Sequence, residues 1–101
     1  MNYSVAIVEV IGSANAVYIL DVMLKASGVS LISWETIFGI GRVTVFVRGN
    51  VSDVKAAVEA AKKDNTCKIF ASYVIANPQK ETRKMLENSA RNHGILFTHS
   101  T

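Results

Sequence analysis

The chain has 101 residues, half of them hydrophobic and 19% charged, which excludes a disordered polymer and bounds it to one domain with a modest core. So large an apolar share in so small a domain points to apolar surface buried between subunits. The net charge of +3 comes from basic residues scattered along the chain, so it describes solvated faces and contacts between copies, not a nucleic-acid stripe.

The chain opens Met1-Asn2-Tyr3-Ser4, with no basic region ahead of an apolar core, so no signal peptide is expected. No apolar run reaches bilayer length, and no membrane partner is expected. Tyr3 to Ile11 is rich in β-branched residues and reads as a strand. Ser4, Ala6, Val8 and Val10 lie on one side and Val5, Ile7, Glu9 and Ile11 on the other. Both sides are mostly apolar, which predicts a central strand covered on both faces, with Glu9 partly exposed or paired.

Gly12-Ser13 breaks the strand, and Ser13 is the expected cap of a helix from about Ala14 to Ser27. Its polar residues Asn15, Tyr18, Asp21 and Lys25 form one narrow stripe. The remaining positions are apolar, giving one side for the sheet and a second for a neighbouring subunit. Gly28 is the expected C-cap. Val29 to Ile37 reads as a second strand, with Trp34 as a half-buried aromatic, and Arg42 to Arg48 as a third. Between them, Phe38-Gly39-Ile40-Gly41 places two glycines one residue apart, the mark of a tight exposed turn.

Asn50, with Asp53 three residues on, forms a variant capping box for a second helix. Val54, Ala57, Val58 and Ala61 make its buried stripe, and Lys55, Glu59 and Lys63 its outer face. Cys67 to Ala76 reads as the fourth strand. Cys67 is the only cysteine, which excludes an internal disulfide and suits a reducing cytosol; no metal set accompanies it. Asn77-Pro78 is the expected N-cap and first turn of a third, peripheral helix to about Asn92, with a stripe through Thr82, Met85, Leu86 and Ala90. The domain is expected over 1–90, with a tail at 91–101 able to add an edge strand, dock or stay mobile. The order β-α-β-β-α-β-α matches an α+β, ferredoxin-like split βαβ fold: a four-stranded antiparallel sheet with two helices on one face.

Four stretches then carry a resemblance. Asp21-Val22-Met23-Leu24-Lys25-Ala26-Ser27 is similar to the D-x-M-x-K-A-A signature of single-domain, hexamer-forming shell proteins of bacterial microcompartments (the BMC-domain type). Gly39-Ile40-Gly41-Arg42-Val43-Thr44-Val45-Phe46-Val47-Arg48-Gly49-Asn50-Val51 resembles that family's G-S-G-x-V-T-V-x-V-R-G-D-V, and Ser52 to Val58 continues it. The match spans roughly residues 4 to 87. It implies a structural protein in a cytoplasmic microcompartment shell, six copies closing into a flat tile that packs with its own kind, with other shell proteins and against encapsulated enzymes. It also implies a central pore for small metabolites, lined by Phe38, Gly39, Ile40 and Gly41, and a tile edge at Lys25 and Asn77. No cofactor, metal or nucleic acid is implied. The chain departs from the family in four places, the first being that the lysine of the family's K-I-G-S-G is lost. The loop is one residue longer, Ile40 stands where the family has serine, and Ala76-Asn77-Pro78-Gln79 replaces P-R-P-H and so lacks its edge arginine. The expected pore is more apolar and tighter than usual, with Ile40, and Phe38 as second candidate, at the constriction.

The competing class is an oligomeric small-molecule-binding regulatory domain on the same fold, whose only polar candidates are Glu9, Trp34, Glu35 and Arg48. An RNA-binding sheet through Tyr3, Phe46, Phe70 and Tyr73 lacks the surrounding motif. No nucleophile–base constellation is suggested, because His93 and His99 sit at the chain's end, remote in sequence from Cys67, so no enzyme is expected.

Overall fold

A computed structural model describes residues 3–37 and 41–92, without the side chains of Ile37, Leu86 and residues 89–92. The elements follow the expected order: β1 (Ser4–Ile11), α1 (Ser13–Ala26), β2 (Ser30–Ile37), β3 (Arg42–Gly49), α2 (Val51–Lys63), β4 (Ala71–Ile75) and α3 (Lys80–Asn92). The sheet is antiparallel with strand order β2-β3-β1-β4, so β1 is central, as its two apolar faces require.

One face carries the main core. Ala6, Val8 and Val10 of β1 and Val43, Val45 and Val47 of β3 meet Ala16, Ile19, Leu20 and Met23 of α1. Val54, Ala57, Val58 and Ala61 of α2 complete it, the four positions its spacing marks. Each fully buried valine or isoleucine contributes about 1.5–3 kcal/mol of transfer free energy, so these two helices and the strands beneath them hold the fold. Trp34 packs half-buried at the margin of this core.

The opposite face holds a smaller cluster of Tyr3, Val5 and Ile32, with Ile7 and Phe46 packed against it. Here α3 lies, against β2, and the Tyr3 hydroxyl donates to Glu87 Oε2 at 3.1 Å. The third helix therefore covers the second face of the sheet. Met85, placed in its apolar stripe by spacing, is instead 69% exposed. The tail from residue 93, with His93 and His99, lies outside the described residues.

Four local expectations are corrected. The N-cap of α1 is Gly12, at φ 89° and ψ 144°, and Ser13 is already helical and makes no capping bond. The chain reverses from β1 into α1 in one residue, through backbone angles that a side chain resists. Helix α1 ends at Ser27 in extended backbone, so Gly28 is no left-handed cap. It serves close approach: a Cβ there would stand 3.0 Å from Asp53 Oδ2. Strand β4 begins at Ala71, opposite Glu9, and not at Cys67, because the chain first turns inward to bury Cys67 as it leaves α2. Asn77 caps nothing. It sits at φ 51°, its N–H donating to Ser4 Oγ at 3.1 Å, and α3 starts only at Lys80. The following Pro78 disfavours right-handed helix at Asn77, which adopts the left-handed region that asparagine tolerates.

Candidate functional site: a loop end and a rim end

The Phe38–Gly41 turn joins the ends of two paired strands, Ile37 opposite Arg42, and so emerges at one end of the sheet. Phe38, Gly39 and Ile40 lie outside the described residues. Gly41 is exposed, with φ 68° and open space where a Cβ would stand, so glycine is used there for its backbone and not for room. Its carbonyl accepts the Gly12 N–H at 2.7 Å. That bond ties the loop to the β1–α1 corner, so both glycines at positive φ clamp the same turn. Sequence spacing gives no hint of the Gly12–Gly41 pairing, which exists only once β1 and β3 are in register.

A polar cluster lies beside the loop. Glu9 Oε1 receives the Arg42 guanidinium at 3.1 Å, and Thr44 Oγ1 donates to Glu9 Oε2 at 3.4 Å. The Glu9 carbonyl accepts the Phe70 N–H at 2.9 Å. The Phe70 ring, 43% exposed, lies 5.4 Å from Arg42 Cζ and 5.0 Å from Lys68 Nζ, within cation–π range. Arg42 Nε is buried without a hydrogen-bond partner among the described residues. Glu9 is thus paired, as its place on an apolar strand demands. The partner was not legible, since 33 residues separate it from Arg42 and only the strand register joins them.

The expected edge residues sit elsewhere. Lys25 occupies the last turn of α1, exposed, and pairs with Asp21 one turn back at 3.0 Å. Its charge also suits the negative end of the helix. Asn77 is exposed and held by Ser4, the first residue of β1. Strand β1 runs about 25 Å from Ser4 to Ile11, and α1 runs back about 21 Å from Gly12 to Lys25. Lys25 and Asn77 therefore share the end of the domain opposite the loop, whose longest dimension is 34 Å.

Of the groups a ligand-binding domain would need, Glu9 and Glu35 share one row of the sheet through Thr44, while Trp34 and Arg48 do not join them. Glu9 is at the loop end, while Arg48 pairs with Val5 and lies 5.4 Å over the Tyr3 ring at the other end. Trp34 belongs to the margin of the main core. Tyr3 is buried and Phe46 half-buried, so neither offers an open stacking platform for bases. Burial, with help from Glu87, pushes the Tyr3 hydroxyl up to about 12. Burial also raises the Cys67 thiol. The described residues hold no group of three or more metal-ligating side chains and no helix long and apolar enough to cross a membrane.

Much apolar surface is left without a partner. On α1, Val17 is 56% exposed and Leu24 is exposed beside the polar stripe. On the free edge of β4, Tyr73, Val74 and Ile75 are exposed. Tyr18 leaves the stripe's solvent role: its hydroxyl donates to Asp64 Oδ2 at 2.7 Å, locking α1 to the turn after α2.

Comparison with known proteins identifies the family of this fold. The BMC domain family model matches residues 4–78. The chain is 39% identical over 90 residues to the carboxysome shell protein CcmK2 of Synechocystis sp., covering 85% of this chain and 86% of that one. It is 39% identical over 85 residues to the bacterial microcompartment shell protein PduA of Citrobacter freundii, covering 82% and 90%. In fold it is similar to a crystal structure of a microcompartment protein from Desulfitobacterium hafniense DCB, with a TM-score of 0.75, 24% identity and 88% of this chain covered; the chain spans 49% of that longer one.

Proposed function

The chain belongs to the BMC domain family, and from that premise we propose that it is a structural shell protein of a bacterial microcompartment, six copies closing into a tile around the Phe38–Gly41 loops. The observation that carries this is polarity along the domain. The loop leaves one end of the sheet, and Lys25 and Asn77 occupy the other. A tile needs that arrangement: one end at the axis and the opposite end at the rim, where neighbouring tiles meet. A closed ring is heterologous, so each copy must present two different surfaces. The exposed apolar residues of α1 and of the β4 edge supply them.

In this reading the pore is lined by Phe38, Gly39, Ile40 and Gly41, with Ile40 at the constriction. Gly41 is fixed by its bond to Gly12, so the lip is held by main chain and its selectivity is set by aperture and by the polarity of its lining. Small metabolites pass and enzymes stay behind the shell. The protein contributes a wall with a graded hole, and no catalytic step is assigned to it. The domain boundary belongs at the end of α3, Asn92, two residues past the expected 90. With the family's edge arginine lost at Asn77, edge packing is weaker or adapted to tiles mixed with other shell proteins.

Electron microscopy of the concentrated protein tests the reading. Extended hexagonal sheets, abolished by Lys25→Asp, are expected. Dispersed particles at every concentration, both alone and with other shell proteins, would contradict it.

A further inference from the structure

The basic residues scattered along the sequence are sorted by the fold. Every Asp, Glu, Lys and Arg of the chain lies among the described residues. On the side of the sheet that α1 and α2 cover, the two helices and the Asp64 cap carry four basic and four acidic residues, so that side is neutral.

All the others belong to the α3 side. Val5 lies in the apolar cluster there and pairs with Arg48, so Arg48 faces that way, and so does Arg42 by the alternation of β3. Glu9 and Glu35, both opposite Thr44, share the face. Lys68 joins it at the Phe70 ring, which lies within cation–π range of both Lys68 and Arg42. Helix α3 adds Lys80, Arg83, Lys84 and Arg91 against Glu81 and Glu87. Seven basic and four acidic residues leave +3 on this side, which is the net charge of the whole chain. Six copies repeat it around a tile, so one face of the tile is basic and the other neutral.

The outer surface of α3 is the accessible part of that face. Lys80 and Lys84 are exposed one turn apart, and Met85 beside them is 69% exposed. A methionine so placed adapts its shape to an apolar group brought against it.

We propose that the α3 face of the tile docks an acidic protein. Carboxylates of the partner meet the lysines of α3 and an apolar side chain meets Met85. The tile repeats this contact six times, so weak single contacts gain by avidity. A nucleic acid fits worse: its unbroken run of phosphates meets Glu81 as well as the lysines, and it makes no use of Met85. The inference rests on the tile reading for the sixfold repetition, while the sidedness of charge is a property of each chain.

Fluorescence anisotropy of labelled poly-glutamate, standing in for an acidic protein surface, tests it with the full chain. Saturable binding that weakens as salt is raised is expected. Lys80→Gln with Lys84→Gln weakens it about tenfold, while Lys55→Gln with Lys63→Gln, which removes the same charge from the α2 side, weakens it less than about twofold. Circular dichroism checks that both pairs are folded. Equal losses from the two pairs, no saturable binding, or tighter binding of duplex DNA than of poly-glutamate would each overturn the proposal. Native mass of the same samples separates it from the tile. Hexamers without sided binding overturn the docking face alone, and sided binding by a chain that never reaches six overturns the tile alone.

Discussion

Replacing Gly12 by alanine probes the joint on which the loop is built. Gly12 sits at φ 89° and ψ 144°, a region that only glycine enters without strain. An added Cβ meets nothing within 4 Å, so the cost is conformational and not steric. Holding alanine there costs about 1–3 kcal/mol. If the chain instead relaxes, the Gly12 N–H loses the Gly41 carbonyl at 2.7 Å, a bond worth a net of about 1 kcal/mol. Either route destabilises by about 1–3 kcal/mol, and each kcal/mol lowers Tm by about 4–8 °C in a domain of this size. Thermal melts by circular dichroism, at one protein concentration because assembly adds its own stability, give the number. A Gly12→Ala chain melting with the unaltered protein would refute the joint. Gly41→Asn is the companion variant. At φ 68° asparagine is tolerated, so it should lose less than Gly41→Ala.

Other consequences follow from named contacts. Asn50→Ala removes the Oδ1 that accepts the Asp53 N–H at 2.8 Å and should cost about 1 kcal/mol in urea unfolding, while Asn50→Asp should cost little. Ile19→Ala, in the main core, should cost about 2–5 kcal/mol, whereas Val17→Ser should leave monomer stability nearly unchanged and weaken assembly. The Tyr3 hydroxyl titrates near 10 in the unfolded chain and about 12 in the fold, so its contribution is present below pH 10 and lost as pH rises toward 12. Stability should fall across that window, and Tyr3→Phe should flatten the fall. Cys67, buried with its thiol pushed up, should react with a maleimide only slowly until urea unfolds the chain.

Where local physics decides, the sequence was sufficient. Helix α2 is read complete, from the Asn50 cap through Val54, Ala57, Val58 and Ala61, because capping and a 3.6-residue period act within one segment. The central place of β1 follows from its two apolar faces, which left Glu9 either partly exposed or paired; the Arg42 pair decides between them. The misread positions are settled by partners remote in sequence. Ser13 is the better capping residue by type, yet Gly12 occupies the cap because the β1–α1 corner needs its backbone angles. Gly28 looks like a helix stop, and its place is set by Asp53. Asn77-Pro78 looks like a helix start, and its conformation is set by Ser4 and by the proline itself. Nor does periodicity place α3, a polar helix, on the second face of the sheet, where Tyr3 and Glu87 join across 84 residues. The candidate site divides in the same way. Two glycines around Ile40 announce a loop, and the family resemblance assigns it to a pore. The Gly12–Gly41 tie and the Glu9–Arg42 pair needed the fold.

The tile is the central claim, and native mass spectrometry of the purified full chain tests it most directly. The account predicts a dominant species at six times the 11.0 kDa chain mass. A chain that remains monomeric or dimeric across the accessible concentration range, with its fold intact by circular dichroism, would contradict it.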